Sequence, residues 1–218
     1  MFLPNLKSAV LAASLSVASL AASAQTFGEF LNKPELPLTF MGVDYSNVKY
    51  YGDAMTVNTA EMKGLFTRID ELLEKEADKY DLQKALHRTG ATKYALSYAE
   101  SVNQKIDPGT IVVADGTAPR AAFTMKNVAE LISHYTYPAG NSGVGLVFVV
   151  EKIDKKLESE VFWAVFVDLA SKKVLYTEKM GGTGAGFGFR NHWAAPLYSG
   201  IKLMKSNYGD WKKKYAKS

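Results

Sequence analysis

Residues 144–179 read VGLVFVVEKIDKKLESEVFWAVFVDLASKKVLYTEK, and this stretch decides the fold class. Val144–Ile153 is a mostly apolar run of strand length. In Val161–Asp168, Val161, Trp163, Val165 and Val167 alternate with Phe162, Ala164 and Phe166. Both sets are apolar, so both faces of this strand are expected to be covered. Leu169–Lys172 reads as a tight turn started by Asp168. Lys173–Lys179 then returns as the hairpin partner, which predicts a C-terminal antiparallel meander.

Upstream, Thr59–Lys79 carries Met62, Leu65, Phe66, Ile69, Leu72 and Leu73 at the spacing of one helix face. Glu61, Asp70, Glu71, Glu74 and Glu76 fall largely off that stripe, and Asn58 or Thr59 is placed to cap it. Asp81–Arg88 is a shorter helix ended by Gly90. Thr124–Tyr135 is a third, with Thr124 as cap and Val128, Leu131 and Ile132 inward. Leu38–Tyr45 reads as the first strand, Gly52-Asp53 and Asp115-Gly116 as turns, and Gln25–Pro37 as an N-terminal arm. In Lys93–Val102, Tyr94, Leu96 and Tyr98 alternate with small residues, which favours a strand. Thr110–Ala114 is a short β-branched strand after the Asp107-Pro108-Gly109 turn. Downstream, a helix from Ala194 to Ser206 is expected, with Pro196 in its first turn.

The order β, α, α, β, β, α, β, β, β, α shows no repeat and no linker. The expected fold is a single α+β domain over residues 25–218. Its sheet is expected to be mixed but mostly antiparallel, packed by about four helices.

The first 24 residues stand apart. Lys7 precedes a small, apolar run from Ala9 to Ala22, and Ala22-Ser23-Ala24 fits a cleavage site. This is the layout of a signal peptide cleaved after Ala24, so a periplasmic or secreted protein is expected. No later segment is apolar for the ~20 residues that a membrane span needs. The chain has no cysteine, so neither a disulfide framework nor a lipidated thiol is available. A hydrophobic content of 47% argues against disorder. A net charge of +4 is too weak a field to point to nucleic acid as a partner. Lys212, Lys213, Lys214 and Lys217 around Trp211 and Tyr215 read as a solvated tail, or as a patch for anionic lipid or polysaccharide.

The strongest local candidate for chemistry is the glycine-rich stretch Gly181–Gly188. It lies between a strand and a helix, where backbone N–H groups can face an anion. Gly182, Gly184, Gly186, Arg190, Asn191 and His192 are the candidate ligand-binding residues. The alternative is a connection in which Phe187, Phe189 and Trp193 pack on the core. No lysine follows the glycines as in a phosphate-binding loop, and no acid follows at dinucleotide-fold spacing. His87, His134 and His192 are the only histidines and show no metal-ligand spacing, so neither a metal nor a cofactor is expected. Gly140-Asn141-Ser142-Gly143 fails the nucleophile-elbow pattern, and Ser142 reads as a turn residue. Asp44 and Glu100 are two acids that could form a glycosidase-like pair, although nothing in the sequence places them near each other. Tyr45, Tyr50, Tyr51, Tyr135 and Tyr137 either cover core edges or stack on sugars.

Phe40-Met41-Gly42-Val43-Asp44-Tyr45-Ser46 and Gly186-Phe187-Gly188-Phe189-Arg190-Asn191-His192-Trp193 resemble stretches of uncharacterised exported proteins of Bacteroidetes-type bacteria. Val165–Leu175 resembles the D-x-x-[ST]-x-x-V hairpin of TolB-N-terminal or CsgG-like α/β envelope domains. That resemblance implies an assembly or binding role without catalysis and transfers no catalytic residue. The expected function is an exported, non-catalytic envelope module with a protein or glycan partner. The alternatives are a hydrolase centred near Arg190 and His192, and an anion- or glycan-binding module built on Gly181–Gly188.

Overall fold

A computed structural model describes residues 25–52, 58–113 and 123–217. The expected signal peptide, Asp53 and the Asp115-Gly116 turn lie outside the described residues. The elements are α1 (Phe27–Asn32), β1 (Leu38–Asp44), β2 (Lys49–Tyr51), α2 (Met62–Lys75), α3 (Leu82–Ala85) and β3 (Lys93–Tyr94). They continue with α4 (Ser97–Asn103), β4 (Val112–Val113), α5 (Met125–Ser133), β5 (Val144–Asp154), β6 (Ser159–Asp168), β7 (Lys173–Thr183) and α6 (Phe189–Tyr215).

β5 organises the sheet. One edge pairs antiparallel with β6, and β6 pairs antiparallel with β7. The other edge is shared end to end by β1 and β2, both parallel to it: Leu38 lies opposite Val144, and Lys49 opposite Lys152. β3 adds parallel to β1, and β4 parallel to β2. Five of the seven strands among the described residues are therefore parallel, and the sheet curls into a half-barrel. This overturns the expected mostly antiparallel sheet: the fold is a parallel α/β one, with six α-helices rather than four. The meander is present, but it forms only one flank. Pairing direction follows from the connections: β3 and β4 each return through helical segments, and such crossovers set strands parallel.

Two further expectations change. Lys93–Val102 yields only the two-residue β3 before α4 begins, because its tyrosines pack from a helix turn as well as from a strand. Gln25–Pro37 contains α1, whose first turn is closed by a capping box: Glu29 N–H donates to Thr26 Oγ1 and Thr26 N–H to Glu29 Oε2, each at 3.1 Å.

The sheet is covered on both faces. Phe162, Ala164 and Phe166 of β6 pack with α1, α2, α3 and α6 in the main core. Trp163, Val165 and Val167 pack on the opposite side with Val128 and Ile132 of α5 and Tyr98 of α4. Between β3 and β4 the outer edge of the β1–β2 column has no strand. Side chains close that gap: Val43 N–H donates to Asp70 Oδ1 at 2.7 Å. Asn103 donates to Val43 O at 2.9 Å and accepts from Tyr45 N–H at 2.7 Å. Gly42, at φ +98°, makes the bulge that allows this. A Cβ there would lie 3.0 Å from Ala99 Cβ and 3.2 Å from Asp70 Oδ1.

A buried arginine ties the helices together. Arg88 is 6% exposed and donates to Leu86 O and Phe30 O at 2.7 Å and to Lys33 O at 3.1 Å. It also donates to Tyr208 Oη at 3.2 Å, and its guanidinium lies 4.0 Å from the Phe30 ring centroid. It thus binds the carbonyl end of α1, where the helix dipole is negative, to α6. Arg88→Ala is expected to lower the unfolding free energy by about 2–4 kcal/mol, because several buried carbonyls lose their donor. Arg88→Lys should recover less than half, since one ammonium cannot replace a planar fork. Urea denaturation measures both; an alanine variant within about 0.5 kcal/mol of wild type would show that the latch does nothing.

Candidate functional site

The carboxyl ends of parallel strands are where open α/β sheets hold ligands. Here β2 and β5 end side by side, joined by a bond from Lys155 N–H to Tyr51 O at 2.8 Å. A cleft of about 560 Å³ opens at this point, within the size of small-molecule sites. Its apolar surface comes from Tyr50, Leu65, Phe189 and Trp193. Its polar lining comes from Asn58 and Glu61, just before α2, and from Lys155 and His192.

α6 places His192. The helix starts at Phe189, earlier than the expected Ala194, so Pro196 falls about two turns inside it rather than in its first turn. Proline has no N–H, so the carbonyl four residues before it, on His192, lacks its helical partner. Ala185 N–H donates to that oxygen instead, at 3.2 Å. Gly184 N–H donates to Glu158 O at 2.7 Å. The connection between β7 and α6 is thereby pinned to both α6 and the β5–β6 hairpin. Gly184 is required by close approach, because a methyl group there would collide with the His192 imidazole.

Charge is concentrated on the hairpin side. Glu158 sits in the tight turn at φ +49°. Its Oε2 lies 2.8 Å from His192 Nε2 and its Oε1 takes the Lys155 ammonium. The His192 contact is an ion-pair distance without hydrogen-bond alignment. The bond from Lys155, then the His192 charge, holds the Glu158 carboxyl below its ordinary value. Burial, then the Glu158 charge, pushes the Tyr50 phenol up.

Behind the cleft, Tyr50, Ile153, Glu160 and Gly182 form one row across β2, β5, β6 and β7. Cross-strand partners share a face, so Glu160 points into the main core beside the cleft floor. It is 1% exposed, and neither carboxyl oxygen has a hydrogen-bond partner. Burial pushes this carboxyl well above the usual carboxylate range. Tyr45, whose hydroxyl is also unpartnered, stacks on Phe66 at 3.9 Å. Burial, then the nearby Glu160 and Asp70, raise its phenol as well.

The six residues singled out from sequence divide by place. Gly186 and His192 line the cleft. Arg190 and Asn191 line an adjoining hollow. Gly184 supports His192. Gly182 still belongs to β7 and packs on α6, where a Cβ would lie 2.9 Å from Pro196 Cα. The glycine-rich connection is therefore shorter than Gly181–Gly188. Phe187 does not join the core: it is 96% exposed, while Trp193 is buried.

Asp44 is buried, accepts from Tyr135 Oη at 2.7 Å and from Ser46 N–H at 2.7 Å, whereas Glu100 is exposed on α4. Ser142 lines a second cleft, of about 480 Å³, at the amino ends of β1 and β3. Tyr45, Tyr50 and Tyr135 are buried and serve as core. Lys212, Lys213 and Lys214 of the lysine-rich end lie in the last turn of α6, with Trp211 buried and the Tyr215 ring 5.7 Å from that of Phe27. The sequence did not mark Asn58, Glu61, Leu65 and Lys155 as cleft residues, because the first three lie just before or in the first turn of α2 and Lys155 in the β5–β6 turn, far apart in sequence and without a shared motif. Among the described residues, no helix is long and apolar enough to cross a membrane. No protein-family model matches the chain, and no curated protein matches it.

Two outcomes are expected. Pro196→Ala restores an N–H that competes for His192 O, so hydrogen exchange at the Ala185 amide should accelerate while the rest of α6 keeps its protection. Unchanged exchange at Ala185 would remove the proline from the account. Glu160 keeps its proton in the folded chain at pH values where the unfolded chain, with a pKa of about 4.3, has lost it. Its contribution to stability is full below that value and falls as pH rises; buried Asp44 and Asp70, also raised by burial, act in the same direction. Glu160→Gln should therefore gain in melting temperature over wild type as pH goes from 4 to 8. A gap between the two proteins that does not change with pH would contradict this.

Proposed function

We propose that this is an exported envelope protein that binds a sugar unit of a glycan in the cleft at the carboxyl ends of β2 and β5. The observation that carries the reading is the composition of the cleft walls. An amide and a carboxylate, Asn58 and Glu61, with Asn58 Nδ2 donating to Glu61 Oε1 at 2.8 Å, line the cleft together with a cation and an imidazole, Lys155 and His192, and the rings of Tyr50, Phe189 and Trp193. A sugar ring has the matching surface: adjacent hydroxyls that donate and accept around its rim, and apolar C–H faces. The export part rests on the leader-like pattern of residues 1–24. The resemblance of Val165–Leu175 to envelope α/β domains supports the same setting.

The His192–Glu158 pair, with Lys155 on the same carboxylate, favours a second reading, a hydrolase in which His192 moves a proton. Calorimetric titration of the purified protein with glucose, galactose, N-acetylglucosamine and their short oligomers tests both. Binding by at least one of these, weakened about tenfold by Asn58→Ala and by His192→Ala, is expected from the loss of one or two hydrogen bonds each. Binding that ignores both substitutions, or no binding across the panel, would sink the sugar reading. Cleavage of a bound oligomer, seen by mass spectrometry, would replace binding with hydrolysis.

A further inference from the structure

Beside the cleft, Leu65, Arg68, Phe187, Gly188, Phe189, Arg190 and Asn191 line a hollow of about 250 Å³. The two spaces adjoin, since Leu65, Gly188 and Phe189 line both. Arg68 comes from α2 and Arg190 from α6, and both are exposed. Among the described residues neither guanidinium has a carboxylate partner; Arg190 donates only to its neighbour Asn191 Oδ1, at 3.2 Å.

Three features of the hollow work against stability. Two like charges face one space, which raises the energy of both. Arg190 stands in the first turn of α6, a turn without an acidic residue, where the helix dipole disfavours a cation. Phe187 is held out in water between Gly186 at φ +94° and Gly188 at φ +78°, with Asn191 Nδ2 donating to its carbonyl at 3.2 Å. Local choices that conflict with stability and converge on one place mark a functional site. An oxyanion on an apolar-faced carrier would offset all three. Guanidinium forks match carboxylate and phosphate oxygens, and the Phe187 ring matches a sugar's C–H face.

We propose that the hollow is the anion subsite of the sugar cleft. The Arg68 and Arg190 guanidiniums hold the carboxylate or phosphate oxygens of an acidic sugar unit while the Phe187 ring packs on that unit. This rests on the sugar reading of the cleft and narrows it to acidic glycans.

The test is titration of the purified protein with glucose, galactose, glucuronate, galacturonate, glucose 6-phosphate and inorganic phosphate. An acidic form should bind about tenfold tighter than its neutral parent, as expected for a charge-assisted pair. Arg68→Gln and Arg190→Gln should each erase that advantage and leave the neutral sugar unchanged. Phe187→Ala should weaken acidic sugars but not inorganic phosphate. All three positions are exposed, and a melting temperature no lower than that of wild type checks that the variants fold.

Neutral sugars that bind as well as their acids would overturn the anion subsite and leave the cleft reading standing. An acid advantage that survives both arginine substitutions would also overturn it. Inorganic phosphate binding as tightly as the sugar acids would show a free-anion site instead of a sugar subsite. No binding by any sugar would bring down the cleft reading as well.

Discussion

At Tyr45–Val48 the strand column beside β5 leaves the sheet and then re-enters it as β2, while β5 runs past without interruption. Around it, between β3 and β4, the outer-edge backbone groups of Val43 and Tyr45 are buried with no strand on that side, although Val43 still pairs with β5 on the other. Such groups cannot stay unpaired at low cost. Asp70 and Asn103 supply the missing partners from α2 and α4, so the positions of both helices follow from the break. It also separates β3 from β4, letting each add to a different half of the column. The carboxyl end of β2 then lies level with that of β5, which is where the cleft opens.

The other side of the cleft depends on a similar transfer of bonding. Pro196 frees the His192 carbonyl, and the chain before α6 uses it. A helix defect thus becomes the anchor of the connection that carries Gly186 and Phe187. The hairpin end at Glu158 adds a second anchor, so His192, Glu158 and Lys155 are held by backbone bonds as well as by their charges. The buried acids tell a related story. Asp70 and Asp44 each have a structural acceptor role. Glu160 has none, although burial beside the cleft floor costs stability as pH rises.

Much of the architecture was legible residue by residue. The β6 pattern announced a strand covered on both faces, and helices were readable where apolar spacing was strong, as in Met62–Leu73. Local chemistry was legible even where it was overlooked: Thr26-Phe27-Gly28-Glu29 has the capping-box spacing of α1. Asp70 looked like a solvent-facing acid because its partner, Val43 N–H, belongs to a strand far away in sequence. Arg88 closed a helix in the sequence and turned out to bridge α1 and α6 for the same reason.

By itself, the sequence determined the order of most elements and the hairpin of β6 and β7. Those features arise from neighbours within a few turns or one tight loop, so periodicity and turn chemistry record them. The tertiary structure alone decided that five strands run parallel, that β1 and β2 share one edge of β5, and that Arg68 faces the same hollow as Arg190. Each of these depends on groups brought together across long loops. Such pairings are selected by burial and by the demand that every buried backbone group find a partner, and no local pattern encodes them.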